Sequence, residues 1–179
     1  MAYDNVATSK DRGIILRSEY VAHLGGHEAF IQQMEYYTDA IKEKILIADM
    51  AKWIWSWVDT YYPESVQILD FYHAKEHLCD YAKIRFRSSK SIKDWIDKQT
   101  ELMLNANIEQ VMVIIKLISF HSSKEEKDNR EKLLVCYQTN MKRMKYKTFH
   151  YAGYIIGSGA MEAAHRNVNQ KSLPAGRQD

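Results

Sequence analysis

The chain has 179 residues, 46% of them hydrophobic and 27% charged, with a net charge of +2 at pH 7. That length suits one domain, or a small core carrying an insertion, and the composition excludes a wholly disordered chain. No run approaches ~18 consecutive apolar residues, so no transmembrane helix is expected, and the Met1–Asn5 start lacks the basic and apolar regions of a secretory signal.

In chain order, Gly13–Ala22 is β-branched and aromatic enough to predict a strand, which Gly25-Gly26 interrupts. Phe30, Ile31, Met34, Tyr37 and Ile41 recur at spacings of three and four, which predicts a helix over 27–42. Ile45-Leu46-Ile47-Ala48 reads as a short buried strand ending in Asp49. Ala51–Tyr61 reads as an aromatic-rich helix stopped by Pro63. Val66–Leu69 is a second short strand, ending in Asp70. Residues 45–70 thus predict a β-α-β unit with parallel strands.

From His73 onward the spacing is helical. Helices are predicted over 73–87, around Ile92–Met103, over Ile108–Ile118 and near Arg130–Met144. Gly157-Ser158-Gly159 is a sharp turn, and 160–170 reads as a closing helix with Ser158 as its cap. The order implies an α/β fold class: an α/β core interrupted by an all-helical insertion, helix-rich overall. Cys79 and Cys136 form neither a disulfide framework nor a CxxC knuckle, and are expected to be free thiols of a cytoplasmic protein.

Charge is unevenly spread. Between 140 and 171 the cations are Lys142, Arg143, Lys145, Lys147, Arg166 and Lys171, against the single acid Glu162. A second basic run is Lys83, Arg85, Arg87, Lys90 and Lys93. Either stretch reads as a solvated helix face or as a phosphate-contacting surface.

Three carboxylates stand where chemistry is possible. Asp49 and Asp70 each follow a buried strand, and parallel neighbours deliver both to the same edge of the sheet, with backbones ~4.8 Å apart. Two carboxylates that close repel unless a cation lies between them or one is protonated. Oxygen ligands suit magnesium or manganese. The alternative is a plain helix cap at either residue. Glu162 sits in the first turn of the closing helix, where the dipole also favours an acid. Arg166 lies one turn on, placed to meet phosphate or to pair with Glu162.

His73-Ala74-Lys75-Glu76-His77 is formally HxxEH, with both histidines on one helix face. A zinc peptidase would need a third ligand downstream, and no acid is singled out for that role. Trp53 and Trp57 share one helix face and are read as core. Trp55 points elsewhere, toward the insertion.

Three segments together carry a resemblance: Ile47–Trp55 (IADMAKWIW), Ile68–Leu78 (ILDFYHAKEHL) and Ile156–Arg166 (IGSGAMEAAHR). In this order and spacing, from about Arg12 to Lys171, the chain resembles the DDE transposases of bacterial insertion sequences, the ISKra class, which are distantly Mutator-like. The resemblance implies an RNase H-like core. It divides the chain into a partial core at 1–72, a helical insertion at 73–150, a closing helix at 151–171 and a foreign-looking tail at 172–179. It implies two metal ions, Mg²⁺ or Mn²⁺, held by an Asp-Asp-Glu triad. Asp49 matches the second aspartate and Glu162 the glutamate. Asp70 and His73 match the Asp-x-x-His signature between them, with Asp70 either a metal ligand or an orienting residue. DNA, both transposon end and target, is the implied partner, along with assembly as a homodimer and a nucleoid-associated location. Lys142, Arg143, Lys145, Lys147 and Lys171 are the implied DNA contacts.

The sequence departs from the pattern in three places. Neither Asp4 nor Asp11 lies on a strand-like run that would supply the first aspartate, Met50 replaces a usual glycine, and the ending lacks the family's basic, tryptophan-containing tail. The expectation is a C-terminal piece of a transposase that does not cleave DNA alone. The alternative is a non-catalytic DNA-binding or regulatory remnant.

Overall fold

The computed structural model describes residues 27–39, 41–118 and 123–157, together with the backbone of four short strands between residues 2 and 19. Strands β1 (Ala2–Tyr3) and β4 (Ser18–Glu19) pair antiparallel, as do β2 (Val6–Ser9) and β3 (Arg12–Ile15). These are two separate two-stranded sheets, with Ser9 opposite Arg12 in the second. Of the expected strand at 13–22, residues 13–15 and 18–19 are strand, and the rest lies outside the described residues. The partner strands, Ala2–Tyr3 and Val6–Ser9, are not predicted by the sequence pattern. Those segments are too polar to announce a strand, and only cross-strand pairing defines them.

Helix α1 (His27–Thr38) leads to β5 (Ile45–Ala48), α2 (Lys52–Tyr61) and β6 (Val66–Leu69). Strands β5 and β6 are parallel and in register from Ile45↔Val66 to Ala48↔Leu69, so the β-α-β unit expected from two short apolar runs is present. Among the described residues this parallel pair and the two antiparallel pairs are three separate sheets. Helix α2 divides its three tryptophans between two sides. Trp53 meets Phe30 edge-on at 6.2 Å, and Trp57 Nε1 donates to Glu35 Oε1 at 3.1 Å, so both face α1. Trp55 instead lies under the Arg143 guanidinium at 4.3 Å, beyond the helical block.

The helical block is a four-helix bundle. Helices α3 (Phe71–Arg85), α4 (Ser89–Leu104), α5 (Ile108–Leu117) and α6 (Lys124–Asn140) pack in a ring, with α3 touching α4 and α6, and α5 touching the same two. Each offers an apolar stripe to a shared interior of Leu78, Tyr81, Met103, Val111, Ile115, Leu134 and Tyr137, all buried. Tyr137 crosses that interior, and its hydroxyl donates to the Ala74 carbonyl at 2.8 Å. Arg85 holds the far end, donating to the Ile118 carbonyl at 3.1 Å, with Nε 3.4 Å from the buried Glu126.

Two boundaries differ from expectation for identifiable reasons. Helix α6 begins at Lys124 rather than near Arg130. Its first nine residues, KEEKDNREK, carry no apolar period, so periodicity could not find them. The start is set by Ser123, whose Oγ accepts the Glu126 N–H at 3.1 Å. Helix α3 begins at Phe71 rather than His73 because Asp70 caps it. After α6 a short 3-10 turn, Met141–Arg143, leads to α7 (Tyr146–Tyr151), a helix that was not expected. Gly153, at φ 79°, reverses the chain after α7, a conformation that costs glycine nothing. The expected closing helix at 160–170, with Glu162, Arg166 and Lys171, lies outside the described residues, as does the tail at 172–179.

Candidate active site at the carboxyl ends of the parallel strands

Ala48 and Leu69 are register partners, so the next residue on each strand, Asp49 and Asp70, leaves the sheet at the same edge. The Asp70 N–H donates to the Ala48 carbonyl at 2.8 Å, which extends the pairing right up to the two aspartates. Both carboxylates also serve the helices that follow. Asp49 Oδ1 accepts the Ala51 N–H at 2.8 Å, and the Asp49 carbonyl accepts Trp55 Nε1 at 2.8 Å. Asp70 Oδ1 accepts the Tyr72 and His73 N–H groups at 2.8 and 3.2 Å, as the N-cap of α3. The cap reading weighed for each aspartate is therefore realised at Asp70 alone; the N-cap of α2 is Ala51, and Asp49 accepts only the N–H of that residue, in the turn before the helix. These bonds leave room for the metal reading, because a carboxylate has about four acceptor positions on two oxygens.

Asp70 is buried, and Asp49 is half-buried. A buried carboxylate is costly unless hydrogen-bonded, and the two N–H bonds at the α3 terminus, with the helix dipole, offset that cost. Beneath Asp70 lies Tyr146, fully buried and edge-on to Phe71 at 5.2 Å. Burial pushes the Tyr146 hydroxyl well above the usual tyrosine range, and Tyr137 and the Asp70 carboxylate push it the same way. This tyrosine stays protonated at every physiological pH.

The third segment arrives at the same place. The Phe71 N–H donates to the Ile156 carbonyl at 2.9 Å, which pins the strand-like stretch before Gly157 onto the first turn of α3. Gly157 is itself buried against that turn. A Cβ there would stand 2.6 Å from Tyr72 Cδ2 and 3.4 Å from Asp70 Oδ1. Only glycine lets the backbone come this close. The flagged Gly-Ser-Gly turn gave a sign of a special backbone, but nothing in the sequence says that it packs on Asp70.

The remaining expected site residues are placed as follows. His73 lies on the first turns of α3, 5.8 Å ring to ring from the exposed His77, with its Nδ1 3.7 Å from Glu76 Oε2. No group of three His, Cys, Asp or Glu side chains able to hold a metal is found among the described residues, so the HxxEH pair has no third protein ligand there. Lys142, Lys145 and Lys147 are exposed on the 3-10 turn and α7. Arg143 is different from its basic neighbours. Its Nη2 lies 2.9 Å from both Asp59 carboxylate oxygens, Nε donates to Gln67 Oε1 at 2.7 Å, Nη1 donates to Asn140 Oδ1 at 3.2 Å, and its plane covers Trp55. Arg143, one of the expected DNA contacts, is thus held by partners within the chain. Its donors are engaged by α2, β6 and α6, because the close of the bundle brings it over the sheet. In the second basic run, Lys83 pairs with Asp80, Lys93 with Asp97 and Arg85 with Glu126. Two of these pairs are local to one helix face, and the third joins α3 to α6.

Cys79 and Cys136 are both free and half-buried, as expected. No helix among the described residues is long and apolar enough to cross a membrane. Comparisons with family models, with curated proteins and with solved structures return no match to this chain.

Proposed function

We propose that this chain belongs to the machinery that cuts and joins DNA at insertion-sequence ends by two-metal phosphoryl transfer, with an RNase H-like core of the ISKra class. One observation carries the reading: two aspartates leave neighbouring parallel strands together, and the segment leading to Glu162 is pinned beside the second of them. That convergence is what three separated motifs of an Asp-Asp-Glu site require. The sequence resemblance supports it independently.

The donors fit a hard cation in kind, since Asp49 and Asp70 offer only carboxylate oxygens. Asp49 and Glu162 would hold Mg²⁺ or Mn²⁺, with Asp70 as a further ligand or as the residue that orients them. When bound, such ions clamp the attacking and leaving oxygens of an in-line displacement at phosphorus. The chain's own residues do the positioning. Asp70 fixes the start of α3, and Gly157 admits the third segment. Lys142, Lys145 and Lys147, with Lys171 and Arg166, would neutralise DNA phosphates. The chain is expected to bind DNA. A homodimer on paired ends follows from the same reading.

The test is fluorescence anisotropy on a duplex oligonucleotide across a salt series. Five phosphate contacts give a slope of log K against log[salt] of about −4.5, of which Lys142, Lys145 and Lys147 supply about −2.7. The triple variant Lys142→Ala/Lys145→Ala/Lys147→Ala should flatten most of it. Absence of salt-sensitive binding would refute the nucleic-acid reading. Magnesium-dependent nicking by this chain would show that the carboxylates present are enough.

A further inference from the structure

We propose that His73 and His77 form a surface chelate for a borderline-soft divalent cation such as Zn²⁺ or Ni²⁺, separate from the oxygen-donor edge at Asp49 and Asp70. The two rings stand one turn apart on the same face of α3, a 15-residue helix, with centroids 5.8 Å apart and planes inclined by 71°. Side chains at i and i+4 of a helix lie one above the other. Two imidazole nitrogens at ~2.0–2.1 Å from one ion therefore need only small rotamer adjustments.

Both rings are reachable. The His73 side chain is 44% exposed and His77 is exposed. The Glu76 carboxylate lies 3.7 Å from His73 Nδ1, so an acidic charge stands beside the pair. Imidazole donors select zinc, nickel or copper over magnesium, so the two sites differ in the ions they take. With two protein donors the other positions stay open, and affinity is moderate. The ion would clip the first two turns of α3, the helix that Asp70 caps.

The test is calorimetric titration of the full chain with ZnCl₂ and NiCl₂, with MgCl₂ as the contrast. One ion per chain is expected, with affinity falling on the order of 10-fold or more in His77→Ala and in His73→Ala. Both positions are solvent-accessible and alanine favours a helix, so unchanged circular dichroism is expected for both variants. Amide exchange should slow across 73–79 when zinc is added to the wild type, and should not change in His77→Ala. Zinc uptake that is unaffected by either substitution, or no uptake at all, overturns the proposal. Because it rests on α3 alone, neither result bears on DNA binding.

Discussion

Arg143→Ala is the most informative single change, because it tests a cation from a basic run that the fold ties to three other elements. The substitution removes four interactions at once: the Asp59 ion pair, the Gln67 and Asn140 hydrogen bonds, and the Trp55 stack. Asp59 is 56% exposed, so the ion pair counts as a surface pair, about 0.2–1 kcal/mol. A guanidinium over tryptophan contributes about 0.5–2 kcal/mol, more as it is desolvated, and the Arg143 side chain is only 13% exposed. Leaving the Gln67 and Asn140 oxygens without their donor costs about 1 kcal/mol more. The expected loss is about 2–4 kcal/mol, or a midpoint about 5–15 °C lower for a chain of this size, read by differential scanning calorimetry and urea unfolding. Arg143→Lys should keep most of that loss, since an ammonium reproduces neither the fork nor the stack. A change below about 0.5 kcal/mol, the range of ordinary surface substitutions, would refute the reasoning.

The same variant has a pH signature. Burial pushes the Asp59 carboxyl up, but hydrogen bonds from Gln67 and Arg143, and the charge of Arg143, outweigh it and hold it below its usual value of 3.8. A carboxyl lowered in the folded state contributes stability that is present above its unfolded pKa and is lost as pH falls through the folded one. The gap between wild type and Arg143→Ala should therefore be full at neutral pH and narrow below about pH 4.

Three further outcomes follow from the site. Gly157→Ala should destabilise by about 1–3 kcal/mol, because its Cβ would meet the Tyr72 ring at 2.6 Å, and Tyr72→Ala in the same chain should recover at least half of that in a double-mutant cycle. Asp70→Ala should cost about 1–2 kcal/mol through the lost cap of α3 and speed amide exchange at Tyr72 and His73, whereas Asp70→Asn should keep the cap and weaken only Mn²⁺ binding followed by paramagnetic relaxation. Tyr137→Phe should cost about 0.5–1.5 kcal/mol in urea unfolding, since the hydroxyl gives the Ala74 carbonyl a buried partner.

Much of the architecture was legible in local patterns. Two four-residue apolar runs, each ending in aspartate, announced parallel strands with carboxylates at one edge, because a parallel pair has no other way to be built from them. The division of the tryptophans was legible for the same reason: helical spacing alone sends residues 53 and 57 one way and 55 another. The start of α6 was hidden because a polar helix half has no period, and its cap shows only as a hydrogen bond. The N-terminal strand pairs were half hidden, since a polar strand is defined by its partner.

By itself, then, the sequence determined the order and type of most elements and put two carboxylates at one sheet edge, since those properties depend on neighbours a few residues apart. The tertiary structure alone decided which cation is tied into the fold and which glycine packs against a neighbouring ring. Arg143 and Asp59 are 84 residues apart in the chain, yet the bundle's return over the sheet brings them into contact. Gly157 meets Tyr72 only because Ile156 docks on the first turn of α3. Periodicity and motif spacing register local geometry, whereas these contacts depend on how distant elements close upon one another.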